Sequence, residues 1–528
     1  MQNNHCAVRD PDVRGRRENP PMRSAARLTR RFRAALLLVE AALLPVAGAD
    51  RPLITHGVAS GDVTPTTAII WSRADRPARM IVEWSEQPDF SGARRVTGPR
   101  VDAASDFTGK TLLEGLPPGV PIFYRVRFAT ETADSEPVQG RFLSAPADER
   151  DILFAWSGDT CGQGFGIDLS RGGFRAYASL LAVRPDFFIH SGDNIYADNP
   201  IKPVLVITNE AVWTNVVMEG KHKVAETLDE FRANYRYNLL DQNLLAFNAA
   251  TPTLAQWDDH EVRNNWYPGQ VITNDKNYQV KEIDRLLPFA RQAFFEYLPI
   301  RPDDQGRIYR HIPRGPLCDV FLLDERSYRG PNSPNRQPQR GPETAFLGDA
   351  QLAWLKQALL ASRAAWKIIA ADMPLGLVCA DGKHFENCAN GDGPPLGREL
   401  EFADLLGFLK KNGIRNVVWL TADVHYAASH YYSPAKAVFK DFDPFWEFVS
   451  GPLHAGAFGP GKLDNTFGPE VIFSVRKKGD KPSGPHTKNQ FFSTVAIAGQ
   501  TKNLTVTHYN RDGEKIWEGA VEWQKPAP

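Results

Sequence analysis

Six short apolar runs in this chain each end at an acidic residue. Short runs of this kind, rich in β-branched and aromatic residues, are typical of buried strands. Because open α/β sheets place ligand sites at the carboxyl ends of their strands, we expect the acids to meet at one edge of a sheet. The runs are Ile152–Trp156, Asp186–Ile189, Thr251–Gln256, Val320–Leu323, Lys367–Ala371 and Val417–Leu420, and they lead to Asp159, Asp193, Asp258 with Asp259, Asp324, Asp372 and Asp423.

Two of these strand ends are near-copies of each other, Ser157-Gly158-Asp159 and Ser191-Gly192-Asp193. Carboxylates that crowd together repel one another unless cations lie between them. The pattern therefore predicts a metal cluster. Asp324 precedes Arg326 and joins neither ligand group described below, so we expect it to support the site rather than bind metal.

The hydrophobic pattern changes along the chain and predicts two folded domains. Residues 50–146 contain β-rich runs punctuated by Gly and Pro, which favours an all-β sandwich, and Leu116–Tyr124 resembles the tyrosine corner of fibronectin-like or immunoglobulin-like domains. From residue 150 to residue 525 strands alternate with helical stretches, which is typical of an α/β domain with parallel pairing. Within it, Asn209–Asn248 is interpreted as an insertion beside the pocket, and Arg329–Pro342 as a flexible surface loop.

The first 49 residues have the composition of a signal segment. Eight arginines and only one acid, Glu18, lie between Arg14 and Arg33, and a mostly apolar stretch, Ala34–Val46, precedes a small-residue cleavage site near Ala49. Thr29–Phe32 fits a twin-arginine signal, so the twin-arginine export machinery is an expected partner and the mature chain is expected to be secreted or periplasmic. The alternative is a disordered basic tail. The apolar stretch is shorter than the ~20 residues that span a bilayer, so no transmembrane span is expected in the mature chain.

The charge balance and the absence of two motifs argue against several classes of function. The 528 residues carry 62 Lys and Arg against 62 Asp and Glu, which gives no overall field that would favour nucleic acid or an anionic membrane. Neither a phosphate-binding Gly-x4-Gly-Lys-Ser/Thr loop nor a Gly-x-Ser-x-Gly nucleophile motif occurs. Cys379 and Cys388 flank a short loop and are equally compatible with a disulfide and with free thiols.

The candidate ligands divide by chemistry into two groups. Phenolate, thiolate, imidazole and carboxylate together suit Fe(III), whereas oxygen ligands alone suit Ca(II) or Mg(II). The alternatives are helix caps for the acids and ordinary core positions for the others. The mixed group is Asp159, Cys161, Asp193, Tyr196 and His425, and the oxygen-only group is Asp193, Asp259, Asp372 and Asp423.

Several motifs occur in the order in which the PhoD-type alkaline phosphatases have them, and residues 53–525 resemble that family. The resemblance implies a fibronectin-like N-terminal sandwich, a metallophosphoesterase sandwich domain of the α/β (α+β) class, and one iron with two calcium ions. In the broader superfamily an asparagine ligand stands where Asp259 aligns, and histidine ligands where Asp423 and, more loosely, Asp372 align. The motifs are Thr55–Asp62, Gly158–Cys161, Gly192–Asp198, Trp257–Glu261, Leu323–Arg326 and Ala422–Tyr426.

These features predict a phosphoric-ester hydrolase that acts on small phosphate mono- or diesters. A metal-activated hydroxide would attack phosphorus, with Asp193 as the central ligand, His260 as a proton donor or supporting residue, and Arg326 as a phosphate clamp or an ion-pair partner. The alternatives are a phospholipase-like phosphodiesterase and a non-catalytic, secreted metal-binding envelope protein.

Overall fold

The computed structural model describes residues 51–207, 211–301, 303 and 305–525. The predicted signal segment, residues 1–49, lies outside these ranges, as does the predicted cleavage site. Among the helices of the described residues, none is both long and apolar enough to cross a membrane.

The N-terminal region is a β-sandwich, as the Gly- and Pro-punctuated pattern predicts. One layer has the strand order β4-β3-β6-β7, and the other contains β1, β2 and β5. Apolar side chains from both layers form one core, for example Ile70 from β2 against Val82 from β3 and Val126 from β6. The strands are β1 Ile54–Gly61, β2 Thr67–Ala74, β3 Ala78–Ser85, β4 Arg94–Val101, β5 Thr108–Glu114, β6 Pro121–Ala129 and β7 Val138–Leu143.

All six predicted strands of the second region form, and each stops just before its acid. The strands that follow β7 in the described residues are β8 Ile152–Ser157, β9 Phe187–Ser191, β10 Val204–Val206, β11 Val212–Thr214, β12 Thr253–Gln256, β13 Arg310–Pro313, β14 Cys318–Leu322, β15 Trp366–Ala370, β16 Leu377–Val378, β17 Ala380–Asp381, β18 His384–Phe385, β19 Val417–Thr421, β20 Ala428–Tyr432, β21 Phe445–Val449, β22 Lys462–Leu463, β23 Pro469–Ser474, β24 Phe491–Ile497, β25 Leu504–Asn510 and β26 Lys515–Val521. The six predicted strands are β8, β9, β12, β14, β15 and β19.

Two large sheets stack face to face, so the expectation of a single sheet edge is wrong. The first has the order β26-β25-β24-β8-β9-β12-β1-β2-β5 and the second β13-β14-β15-β19-β21-β20-β23. Apolar side chains that alternate along both sets of strands pack between them, including Phe154 and Ile189 from the first sheet and Ile368 and Leu420 from the second. The acids therefore meet where the strand ends of two sheets converge.

Helices cover the outer face of each sheet and complete a four-layer sandwich. The first sheet packs its other face against Tyr177 of α1 and Phe294 of α4, and the second packs against Leu355 of α5 and Phe402 of α6. The helices are α1 Arg175–Val183, α2 Leu228–Asn238, α3 Gln242–Ala250, α4 Ile283–Tyr297, α5 Gly348–Ala361 and α6 Glu399–Lys411. This architecture confirms the predicted fold class.

The N-terminal sandwich and the second region share a sheet. β1 pairs in parallel with β12, with Gly61 opposite Thr253, so the first sheet runs without interruption from one region into the other. A side chain at Gly61 would collide with the backbone oxygens of Pro299 and Thr253, which explains a glycine there. The boundaries 50–146 and 150–525 remain a prediction, because the sheet itself does not divide there.

Two loop predictions need correction. Most of residues 329–342 are exposed, as predicted for a surface loop, but Arg329, Asn332 and Asn335 are buried. The guanidinium of Arg398, itself fully buried, donates to the carbonyl oxygens of Gly330 (3.0 Å) and Pro331 (2.8 Å) and so fixes the loop. The disulfide alternative is also not realised, because the described cysteines form no disulfide with one another.

Candidate active site

The turns after the strands direct the acids inward through unusual backbone conformations. Asp159, Asp193, Asp423 and His425 have φ values of 68°, 52°, 61° and 60°. Non-glycine residues in this left-handed region cost of order 1–3 kcal/mol and persist where the surrounding structure holds them, often at functional sites. Gly192 has φ 94°, and a side chain there would lie 2.4 Å from Cβ of Asp258, which explains the glycine of the second Ser-Gly-Asp.

One group of donor atoms joins Asp159, Asp193 and His425, whose ligand atoms lie within 4.8 Å of one another. His425 Nε2 is 3.1 Å from Asp159 Oδ1 and 3.0 Å from the hydroxyl of Tyr196. The same hydroxyl is 3.4 Å from Asp159 Oδ1. Four of the five residues predicted for the mixed ligand group are therefore brought together.

Two further groups overlap with the first. Asp193, Asp259 and His260 form one, and Asp258, Asp259 and Asp423 form the other. Asp193 is thus shared by the first and second groups, and Asp259 by the second and third. The donor atoms form a connected row rather than isolated sites, with Asp193 at the position that the sequence predicts for a bridging ligand.

The carboxylates of this row fit bound cations. Buried oxygens of four of the acids have no hydrogen-bond partner among the described residues: Asp159 Oδ2, Asp193 Oδ2, Asp258 Oδ2 and Asp259 Oδ1. Burial first, and then neighbouring carboxylates, raise the pKa values of Asp193 and Asp423 well above normal. Unpaired buried carboxylate oxygens are costly unless a cation balances them. The carboxylate, imidazole and phenol donors present are ligands of the kind that such cations take.

Arg326 lies wholly buried among the acids of the third group. Its Nε donates to Asp258 Oδ1 at 2.6 Å and to Asp372 Oδ2 at 3.2 Å, and its Nη1 donates to Glu386 Oε1 at 2.7 Å. Asp423 Oδ1 is 3.9 Å from Nη2. The structure therefore favours the ion-pair alternative for Arg326. It also places Asp372 against the guanidinium and outside the three donor groups.

His260 is fixed by a carboxylate and an aromatic ring. Its Nδ1 lies 2.6 Å from Asp198 Oδ1, and its ring packs on that of Tyr196 with centroids 4.2 Å apart. Burial alone would lower its pKa, but Asp198 and Asp259 raise the pKa of His260 to about 9. Nε2 lies 3.9 Å from Asp259 Oδ1 and belongs to the second donor group.

Comparison with known proteins identifies the family. The PhoD-like phosphatase family matches residues 154–508, and its N-terminal domain matches residues 40–146. The chain belongs to the PhoD-like phosphatase family. It is therefore a phosphoric-ester hydrolase, as the motif order predicts.

This PhoD-like phosphatase is similar to named relatives along most of its length. Alkaline phosphatase D of Bacillus subtilis (strain 168) is 28% identical over 445 residues, which cover 78% of this chain and 71% of that one. A solved structure of PhoD has 20% identity and a TM-score of 0.66, covering 90% of this chain and 93% of its own. A purple acid phosphatase, PPD1 of yellow lupin (Lupinus luteus), has 12% identity and a TM-score of 0.55, covering 89% and 74%. The two structures show that the fold is shared.

Cys161 takes a different place in this phosphatase from the one its sequence position suggests. It is fully buried in the apolar core beside α1 and α2 and belongs to none of the three donor groups. Burial raises the pKa of the Cys161 thiol to about 11, and Lys221 and Asp241 are the charged groups that act on it. The adjacent peptide N–H groups, of Cys161 and Gly162, donate to the carbonyl oxygen of His454.

Several residues of the site are not among the candidates chosen from the sequence. Asp258 completes the third donor group, and Glu386 pairs with Arg326. Glu261 accepts hydrogen bonds from the backbone N–H groups of Asp193 (3.1 Å) and Asp258 (2.8 Å) and so fixes both turns. Asp258, Glu261 and Asp198 stand inside motifs that the sequence marks, whereas nothing in the pattern around Glu386 marks it.

A cleft opens beside His260 and Asp198. The cavity has a volume of about 720 Å³, and Asn264, Arg263 and Lys202 also line it. His222, Lys223 and Val224 come from the segment that the sequence marks as an insertion beside the pocket, and they form part of its wall. His260 is the residue of the donor groups that lines this cleft.

Proposed function

We propose that the chain is an exported, metal-dependent phosphatase that releases phosphate from small phosphate mono- or diesters at the row of donors around Asp193. The observation that carries this proposal is the overlap of three donor groups whose buried carboxylate oxygens lack partners, next to an open cleft. Membership of the PhoD-like phosphatase family supports the chemistry.

Iron and calcium are the metals that the donor types favour. Asp159, Tyr196 and His425, with Asp193, would hold Fe(III), because phenolate and imidazole suit that ion. Asp258, Asp259 and Asp423 would hold Ca(II), because they offer oxygen alone. When bound, such ions supply Lewis-acid chemistry toward a phosphoryl oxygen and toward a water nucleophile.

The protein residues around the donors would orient and protonate the substrate. His260 lies on the cleft, and the Asp198 carboxylate holds its Nδ1, so its Nε2 is the ring atom free to meet a leaving-group oxygen. Arg326 balances the acids of the third group and thereby keeps Asp258 and Asp372 in place. Asp372 and Cys161 are left out of this ligand proposal, because neither joins a donor group.

Export is proposed from the leader alone, since the basic and apolar segments of residues 1–49 have the order of a signal. Fractionation of cells that express the full chain tests this. Activity in the periplasm or medium that disappears when Arg30 and Arg31 are both changed to Lys is the expected result. Unchanged export in that variant would contradict the twin-arginine route.

Elemental analysis together with turnover tests the whole proposal. Protein purified from its native compartment is expected to hold iron and calcium and to release phosphate from an aryl phosphate. Zinc as the sole metal would contradict the assignment of iron and calcium. Full turnover after exhaustive removal of metal would contradict metal dependence.

A further inference from the structure

A second polar cavity lies where the start of α1 meets residues 453–454 and 485–490. Its volume is about 300 Å³, and five chain segments line it: residues 170–176, Trp213, residues 453–454, residues 485–490 and Arg511. The charged side chains that line it are all arginines, namely Arg171, Arg175 and Arg511. His454 and His486 also line it, and Nε2 of His454 lies 3.1 Å from the carbonyl oxygen of Gly166.

Nearby carboxylates that do not line the cavity balance only part of its positive charge. Asp512 pairs with Arg175 at 2.6 Å, and the same carboxylate lies 3.4 Å from Lys488 and 3.5 Å from Arg511. Asp168 lies 3.4 Å from Arg171. Neither acid lines the cavity. Glu514 lies 2.9 Å from Lys488 and does not line the cavity either. Three carboxylates therefore lie against four cations, and the charged side chains that line the space itself are all positive.

Two nitrogen atoms at the cavity have no hydrogen-bond partner among the described residues. They are Arg511 Nε, which lies 3.5 Å from Asp512 Oδ1, and His486 Nδ1. Buried donors without partners are uncommon in folded proteins and call for a ligand or water. The start of α1 lines the same space, and its N-cap residue, Phe174, has no side chain that can accept from the helix N–H groups.

These features fit a tetrahedral oxyanion. Guanidinium groups present planar pairs of N–H donors that match two oxygens of a phosphate, and the positive end of a helix adds to the attraction. Repulsion among Arg171, Arg175 and Arg511 is relieved when an anion lies between them. We propose that this cavity is an oxyanion-binding site, separate from the carboxylate centre, that takes phosphate or the phosphate group of a larger molecule.

The site touches the backbone that shapes the carboxylate centre. Leu453 and His454, which line the cavity, donate their N–H groups to the carbonyl oxygens of Gly158 and Asp159, both at 2.9 Å. The carbonyl oxygen of His454 accepts from Cys161 at 2.8 Å. An anion held against His454 therefore acts on the turn that carries Asp159 through a single layer of peptide groups.

Equilibrium dialysis of the metal-loaded full chain against radiolabelled inorganic phosphate tests the proposal. Two classes of bound phosphate are expected, one at the metal centre and one at this cavity. Arg511→Gln is expected to weaken the second class about tenfold or more, since a charge-assisted hydrogen bond is lost, and to leave the first class in place. Arg100→Gln, an exposed arginine on the N-terminal sandwich, is the matched control and is expected to bind as the unmodified chain does.

Arg175→Gln provides a second variant, because the Arg175 side chain is half exposed and its replacement is expected to leave the fold intact. Identical binding by Arg511→Gln, Arg175→Gln and the unmodified chain would overturn the proposal. So would a single class of phosphate that disappears in Asp193→Asn. The number of classes of bound phosphate is measured without turnover, so this test is independent of the test of hydrolysis.

Competition with methylphosphonate separates the two sources of the anion. Displacement of the second class of label by methylphosphonate indicates that a substituted phosphoryl group fits the cavity, as a larger phosphorylated molecule requires. Retention of the label indicates that the cavity selects free inorganic phosphate. Each result supports an oxyanion site and assigns its occupant.

Discussion

The hydroxyl of Tyr196 lies 3.0 Å from Nε2 of His425, although 229 positions separate the two residues in the chain. Tyr196 follows β9 of the first sheet, and His425 follows β19 of the second. Their contact therefore joins the ends of two sheets, and Asp159 Oδ1 lies within 3.4 Å of both side chains. The three groups together offer phenolate, imidazole and carboxylate to one ion.

Tyr196→Phe tests this contact. The change removes the phenolic oxygen and keeps the ring that packs on His260, so iron is expected to bind about tenfold or more weakly while calcium is retained. Metal content per chain, measured after dialysis, reports both values. Equal iron content in the variant and the unmodified chain would remove Tyr196 from the ligand set.

Cys161→Ala is the companion variant. The thiol lies in the apolar core and joins no donor group, so the variant is expected to keep its iron and lose only a modest amount of stability. Removing a small buried sulfur is expected to cost about 1–2 kcal/mol of unfolding free energy. Loss of iron comparable to that in Tyr196→Phe would instead show that the thiol reaches the metal.

The strand-end acids show what the sequence pattern can predict. All six apolar runs form strands that stop just before their acids, because short apolar runs with β-branched residues have few other ways to be buried. The pattern does not reveal that the runs divide between two sheets, since sheet membership depends on contacts between distant segments. The sequence therefore predicts that Asp159 and Asp423 belong to one site, but it does not predict how the two sheets position them there.

Arg326 and Cys161 show where the pattern stops being informative. Arg326 is marked by its motif as a candidate site residue, but its pairing with Glu386 depends on a loop 60 residues away that has no periodic signal. Cys161 is two residues from Asp159, and a positive φ of 76° at Cys161 accompanies its burial in the core. Backbone conformations of this kind are set by tertiary packing and cannot be predicted from spacing.

Asp193→Asn tests the shared position in the row of donors. The amide keeps the shape of the side chain and removes one charge from two donor groups at once, so turnover of an aryl phosphate is expected to fall about 100-fold or more. Circular dichroism should show an intact fold. Asp324→Asn is the matched control: its Oδ1 accepts from Trp257 Nε1 at 3.0 Å, outside the donor groups, and a much smaller fall is expected there.

Arg326→Met tests the ion pairs within the site. The replacement leaves Asp258, Asp372 and Glu386 buried without their cation, which is expected to cost about 3–5 kcal/mol of unfolding free energy. Urea denaturation in the presence of a metal chelator measures the loss. Arg340→Met is the control, because the closest partners of this arginine, Asp349 and Asp404, are exposed and buried Glu401 is 4.0 Å away, so it is expected to contribute about 1 kcal/mol or less. Equal losses in the two variants would contradict the role assigned to Arg326.

His508 gives the stability of the fold a specific dependence on pH. The side chain is fully buried, with its ring nitrogens 2.6 Å from Ser493 Oγ and 3.0 Å from Ser429 Oγ. Burial lowers the pKa of His508 from 6.5 to about 3, with His430 contributing in the same direction. The unfolded chain therefore binds a proton at a pH where the folded chain does not.

The stability that neutral His508 provides is complete above pH 6.5 and falls as the pH drops from 6.5 toward 3. Linkage predicts a loss of about 1.4 kcal/mol in unfolding free energy for each pH unit within that window. His508→Gln removes this proton uptake and retains hydrogen bonding to the serines. Urea unfolding at pH 7.5, 6.5 and 5.5 is expected to show a shallower decline in the variant than in the unmodified chain. Parallel declines in the two proteins would show that other groups account for the acid sensitivity.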